Sequence, residues 1–300
     1  MKAYSEPFTA QSDLALLSEP GVLPRNINLK AFEPHRADFV CTHAVTRAPV
    51  LLPQAQERFE EGMALTSPAL WPNERDWPKA MQLWQEASQM GHWKADLMWI
   101  YTARTGNGIN SEKGLFAVPA QDSESVVERV ESLMRKNVAE AFYLMGVFHY
   151  ESYGVTSDVD RAWAFWELAA DMGSARAQTR IAKSLVFVDR NQEEPGVSQW
   201  ANEKVQYQML ECAHSQGDGE AGFELGRYLN LDAENDRAVN GDKQAQFARA
   251  RQVLHDATKF GSEKADNYLS SAYFAGDPFV MSLIDPARGK RYSAFGDALF

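Results

Sequence analysis

Ala169-Ala-Asp-Met-Gly173-Ser-Ala-Arg-Ala177 sets an Ala, a Gly and an Ala four residues apart. The same spacing recurs at Ala87/Gly91/Ala95, Ala213/Gly217/Ala221 and Ala257/Gly261/Ala265, and a degenerate copy reads Leu133/Asn137/Ala141. The turn residues are therefore 91, 137, 173, 217 and 261, separated by 46, 36, 44 and 44 residues. Self-similarity at this period is the signature of a helical repeat array, in which each unit packs against its neighbours.

Counting back from each turn, the positions 11, 8, 7 and 4 residues earlier share one face of a helix. They read Ala80, Leu83, Trp84, Ala87 before Gly91 and Ala162, Phe165, Trp166, Ala169 before Gly173. Before Gly261 they read Ala250, Val253, Leu254, Ala257, and before Gly217 they read Gln206, Met209, Leu210, Ala213, with Gln206 the polar exception. The Gly ends the helix in the left-handed conformation that a Cβ disfavours, and Asn137 is the next-best residue there. The Ala beyond the turn opens the next helix and lets two backbones approach, with Leu97, Leu144, Leu225 and Leu269 filling the layer.

Worked outward, the pattern predicts twelve helices, at about 54–65, 77–90, 92–104, 122–136, 138–152, 158–172, 174–188, 200–216, 218–230, 245–260, 262–275 and 286–298. They pair as six hairpins, with the Gly or Asn turns linking hairpins. The first helix is expected to bury Ala55, Phe59 and Met63. Asp76 is expected to cap the second, with Pro78 in its first turn. The connections at 105–121 and 231–244 are long. Residues 1–52 carry no helical period and are punctuated by Pro7, Pro20, Pro24, Pro34 and Pro49. Asn28–Phe32 and Ala37–Thr42 each fit a short strand. The expected architecture is all-α: an extended N-terminal arm (1–52) that covers the first helices, and a right-handed α-solenoid of about six hairpins (53–300) ending in a polar C-terminal capping helix.

The chain has 300 residues, 24% charged and 45% hydrophobic, an ordinary globular composition. A net charge of −11 argues against nucleic acid as a partner. Solubility accounts for that charge first, and a basic protein partner second. Cys41 and Cys212 fit no metal spacing; they read as reduced or buried thiols, or as one disulfide in an exported protein. No apolar run approaches the roughly 18 residues of a membrane span. The N-terminus lacks the apolar core of a signal peptide, which taken literally indicates the cytoplasm. A polar start such as Ser5-Glu-Pro-Phe-Thr-Ala-Gln-Ser is also how a mature exported protein or lipoprotein begins.

From Gly154-Val155 through Asp158, Arg161-Ala162, Trp166, Ala169-Ala170 and Gly173 the chain resembles the Sel1-like repeats, relatives of the tetratricopeptide repeats. Asp76 to Gly91 and Phe247 to Gly261 match the second half of that unit, while 122–137 departs from it. The longer order of segments, including Asn28–Phe32, Ala69-Leu-Trp-Pro, Glu74-Arg-Asp-Trp-Pro, Met209–Ala213 and Arg288-Gly-Lys-Arg-Tyr292, resembles bacterial proteins of this kind with a conserved N-terminal arm. That resemblance implies a periplasmic protein whose signal or lipoprotein leader, with its lipid anchor, belongs to an unprocessed form. It also implies an immunity protein whose partner is a secreted type VI effector of the lipase or phospholipase kind. An intracellular or envelope adaptor is the first alternative, and an enzyme, which would need a titratable cluster in a pocket, is the second.

No residues are assigned to catalysis, cofactor binding or metal binding, and no cofactor is expected. His35, His43, His92, His149, His214 and His255 form no His-Glu-x-x-His pattern, and Cys41-Thr-His43 is too short for a metal site. Gly106-Asn-Gly108 reads as a helix-ending turn, Glu60-Glu61 and Glu193-Glu194 as solvated charges, and no Gly-x-Ser-x-Gly elbow occurs. The reading is a non-enzymatic binding protein. Its candidate partner-binding residues are large side chains off the core stripe after each turn: Trp99, Tyr150, Arg180 and Arg227, with Tyr153 and Phe274 at helix ends. The spacing itself generates a prediction. Ala177→Leu or Ala265→Leu should overpack the layer beneath the turn and lower unfolding stability by about 1–3 kcal/mol in denaturant titration.

Overall fold

The computed structural model describes residues 14, 15, 17, 19, 21–67, 69–105, 122–186, 188–189, 196–197, 199–237 and 241–298. The Gly106-Asn-Gly108 turn, Glu193-Glu194 and most of the 105–121 connection lie outside them. Among the described residues there are twelve α-helices. They are α1 (Pro53–Leu65), α2 (Trp77–Gln89), α3 (Trp93–Thr105), α4 (Ser123–Arg135), α5 (Ala139–Glu151), α6 (Val159–Asp171), α7 (Ala175–Ser184), α8 (Glu203–Ser215), α9 (Gly219–Glu234), α10 (Lys243–Lys259), α11 (Glu263–Ala275) and α12 (Pro286–Ala298). They fall into two compact units. The first holds α1–α6 with the chain up to Phe32 and Ala44 onward; the second holds α7–α12 with Glu33–His43. Within each unit every helix packs on its sequence neighbours, which makes three hairpins per unit.

The turns form as their sequence requires. Gly91, Gly173, Gly217 and Gly261 have φ of 87°, 105°, 87° and 81°, and Asn137 has 58°. At Gly91 and Gly261 a Cβ would meet nothing within 4 Å, so the demand there is on backbone conformation and not on space. The next helix starts almost at once. Ser174, Asp218 and Ser262 directly follow their glycines and accept the amides of Ala177, Ala221 and Ala265. His92 does the same after Gly91: its Nδ1 accepts from the Ala95 amide at 3.0 Å, which leaves Nε2–H for Gln56 Oε1 at 2.9 Å. Both bonds suit a neutral ring, and burial lowers the His92 pKa. Asp76 caps α2 by accepting from Lys79, with Pro78 in the first turn.

The stripe positions are all buried, Gln206 included, and so are Ala95, Ala141, Ala177, Ala221 and Ala265. A second kind of close approach recurs inside the hairpins. A Cβ on Gly62 or Gly146 would lie 2.5 Å from Nε1 of Trp84 or Trp166, and one on Gly226 would lie 2.5 Å from Leu254 Cγ. In α1 this sets the inner face at Ala55, Phe59, Gly62 and Thr66, with Phe59 stacked on His92 at 4.6 Å. Met63, expected in the core, is one position off that face and 39% exposed.

The arm corrects two expectations. Neither Asn28–Phe32 nor Ala37–Thr42 is a strand; among the described residues the only strands are the two-residue pair Val188–Asp189 and Gly196–Val197 between α7 and α8. The arm also does not concentrate on the first helices. In the first unit, Arg25 reaches α4, where Nε and Nη2 donate to Glu131 at 2.8 and 2.9 Å and Nη1 to Glu124 at 2.9 Å. Burial pushes the Glu131 carboxyl up, and the Arg25 hydrogen bonds more than reverse this, leaving it below the usual range. The Ile27 carbonyl accepts from Arg161 of α6 at 2.8 Å, and Phe32 stacks on Trp163 at 5.2 Å. In the second unit, Asn202 donates to the carbonyls of Pro34 and Arg36, Gln208 accepts from the Phe39 amide, and Gln178 donates to the Thr42 carbonyl. Helix side chains thus supply the backbone partners that a neighbouring strand would otherwise provide. Cys41 and Cys212 are joined in a disulfide.

Gly146 faces Ala162 O at 2.9 Å as well as the Trp166 ring, and backbone yields least. Gly146→Ala should therefore destabilise the first unit by about 1–3 kcal/mol in urea unfolding despite its better helix propensity. A neutral or stabilising result would mean that α5 and α6 are not in this close contact.

Candidate partner-binding site

The residues singled out in the sequence each have a place within one unit. In the first unit, Trp99 on α3 is half-buried beneath the Arg129 guanidinium, 4.0 Å from its centroid. Arg129 is held by Asp96 at 2.6 Å, Gln85 at 2.8 Å and Ser88 at 2.9 Å, so Trp99 covers an internal polar network. Tyr150 is 48% exposed and leans on Trp166. Tyr153 packs on Phe148 at 4.9 Å, and burial pushes its phenol up. Tyr150 lies in the last turn of α5 and Tyr153 just beyond its end. In the second unit, Arg180 is half-buried on α7. Arg227 bonds Glu224 at 2.6 Å and covers the Tyr228 ring. Phe274 is 45% exposed and lies over Gly289 of α12.

Two other clusters in the second unit escaped the sequence reading. Tyr207 on α8 donates to Asp232 on α9, which also pairs with Arg237. Burial and the Asp232 carboxylate together push the Tyr207 phenol upward. The larger feature is a cleft of about 670 Å³ lined by α10, α11 and α12. From α10 come Ala248, Arg251, Gln252 and His255; from α12 come Arg288, Arg291, Tyr292 and Phe295; α11 contributes Tyr273. Both sets have helical i, i+3, i+4, i+7 spacing, so each is one face of its helix. Arg288 donates to the Tyr273 hydroxyl at 3.1 Å, His255 shares a 2.9 Å hydrogen bond with the Tyr292 hydroxyl, and the two tyrosine rings stack at 5.9 Å. The signal was present as Arg288-Gly-Lys-Arg-Tyr292, but only the fold shows which α10 face it meets.

The sulfurs of Cys41 and Cys212 and a ring nitrogen of His43 lie within 4.8 Å of one another. The disulfide engages both sulfurs, and His43 bonds Ser215 at 3.0 Å. This cluster is a covalent anchor for the arm in the bonded state.

Solved structures similar to the chain share its architecture over most of its length. The immunity protein Pa5087 from Pseudomonas aeruginosa is 25% identical, with a TM-score of 0.62 over 87% of this chain and 88% of that one. The immunity protein PA5088 of the same bacterium is 21% identical, with a TM-score of 0.62 over 88% of each chain. A Sel1 repeat protein from Oxalobacter formigenes is 16% identical, with a TM-score of 0.53 over 82% of this chain and 90% of that one. The chain has the Sel1-like repeat fold. No protein-family model matches it, and no curated protein matches it.

In the last Sel1-like hairpin, Asp266 of α11 is fully buried, and among the described residues neither carboxylate oxygen has a hydrogen-bond partner. A Cβ on Gly296 of α12 would lie 3.3 Å from its Cβ. Burial pushes its pKa up to about 6. The folded-state value thus exceeds the unfolded one. The protonated carboxyl is compatible with folding at low pH, and stability is lost as pH rises through about 6. Asp266→Asn should therefore stabilise the protein by about 1–3 kcal/mol at pH 8, with the gain shrinking toward pH 4, in urea titrations at both values. A pH-independent difference would show that the carboxylate is not the strained group.

Proposed function

We propose that this chain is an immunity protein that binds a secreted antibacterial effector and blocks it. The observation that carries this reading is the 25% identity and 0.62 TM-score to the immunity protein Pa5087 over most of both chains. The finer reading is a periplasmic protein whose partner is a type VI lipase or phospholipase, captured so that its active site is occluded. The Cys41–Cys212 disulfide supports an oxidising compartment, and so an export leader on an unprocessed form, to which the finer reading adds a lipid anchor. Binding without catalysis is the reading that the helical repeat scaffold and its immunity-protein neighbour favour. The −11 net charge favours fast capture of a basic effector surface.

The test is co-expression in a bacterial host with a type VI effector of the lipase type from the same genome, the effector being directed to the periplasm. Growth should be restored only when the immunity protein is exported too, the two proteins should co-elute on size exclusion, and lipid hydrolysis by the purified effector should fall. Persistent toxicity without complex formation would overturn the reading.

A further inference from the structure

We infer that the cleft between α10 and α12 is a recognition pocket for an acidic segment of the partner protein. Three guanidiniums, those of Arg251, Arg288 and Arg291, line one cavity in a chain whose net charge is −11. Many arginines elsewhere are consumed by the chain's own carboxylates: Arg25 by Glu131, Arg129 by Asp96, Arg227 by Glu224, Arg249 by Glu211. Among the described residues Arg251 and Arg291 form no salt bridge. Arg251 donates to the Phe279 carbonyl, and Arg288 approaches Asp285 only at 3.7 Å. Guanidinium forks suit carboxylates geometrically. Tyr273 and Tyr292 hold their positions through Arg288 and His255, so the wall is built before any ligand arrives. Arginine and tyrosine around a concave surface are also the residues that dominate protein interfaces. The volume of about 670 Å³ accommodates a few side chains. The occupant that matches this chemistry is a pair of Asp or Glu carboxylates flanking an apolar residue.

This assignment rests on the immunity reading for its partner, so the experiment separates the two. The probe is the acetylated and amidated peptide Asp-Glu-Phe-Glu-Asp, fluorescently labelled, against its Asn-Gln-Phe-Gln-Asn counterpart, measured by anisotropy at low ionic strength. The acidic peptide should bind and the amide peptide should not. Exposed Arg291→Glu should weaken binding by about tenfold or more. Arg251→Gln, which keeps a donor for Phe279 O, should weaken it by a similar factor, and thermal melts should show both variants folded. Equal binding of both peptides, unchanged binding by the variants, or displacement by sulfate as effective as by unlabelled peptide would each overturn the inference. In the effector pull-down, wild type and variants performing alike would sink the cleft while the immunity reading stands. If wild type captures no effector, that reading fails, and the peptide titration alone decides the cleft.

Discussion

Five backbone positions in the left-handed region govern this molecule. At each, a helix must stop and another must start within two residues, and the peptide chain achieves this only where a side chain is absent or tolerant of positive φ. The cap that restarts the helix follows directly: Ser174, Asp218 and Ser262 after three of the glycines, and the His92 ring after a fourth. The fifth junction, at Asn137, has neither the glycine nor a side-chain cap, since Val138 follows it. There the turn is held by helices on both sides: α4 buries Val126, Val127, Val130, Leu133 and Met134, and α5 is buried nearly throughout. Tertiary burial replaces the local signal where the local signal is weakest.

The repeat was legible because periodicity survives substitution. Four aligned copies of one stripe identify helices, phase and junctions even when single residues differ, as Gln206 does. What periodicity cannot supply is the phase of a helix with no repeat partner in the alignment. Reading Met63 as core on α1 was a slip of one residue, and the signal it missed was Gly62, which only makes sense once Trp84 is known to lie against it. The arm was less legible still. Alternating residues around Phe32 and Phe39 look like strands because a strand and an unpaired extended segment share backbone geometry and side-chain alternation. Which of the two forms depends on where the amides and carbonyls find partners, and those partners are Arg161, Gln178, Asn202 and Gln208, more than 100 positions away in the chain.

The binding residues show the opposite failure. Large aromatic and arginine side chains off the core stripe are reasonable interface anchors, yet Trp99 and Arg227 have intramolecular cation–π partners. In an acidic chain most arginines have a carboxylate within reach, so an arginine's presence carries little information about binding. Its lack of a carboxylate partner carries much more, and that is a three-dimensional property. This is why Arg251 and Arg291 stand out only when α10 and α12 are seen to share a cleft.

The crosslink bears on how the arm is held against its helices. The disulfide closes a loop of 171 residues between Cys41 and Cys212. On the chain-entropy account, a loop of this order removes freedom from the unfolded state amounting to about 2–5 kcal/mol, a large share of a domain's net stability. The stretch it anchors is otherwise held by hydrogen bonds with Gln178, Gln208, Asn202 and Ser215, each contributing about 1 kcal/mol, and by the exposed Asp38–Lys204 ion pair. Those bonds need Glu33–His43 already in place on α8, and ordering that stretch costs about 1–2 kcal/mol per residue. Only some of that cost is recovered by burying Phe39. The covalent link shifts the balance by keeping the segment beside its hydrogen-bond partners in the unfolded ensemble too. A segment held this way is ordered most firmly where the link stays oxidised.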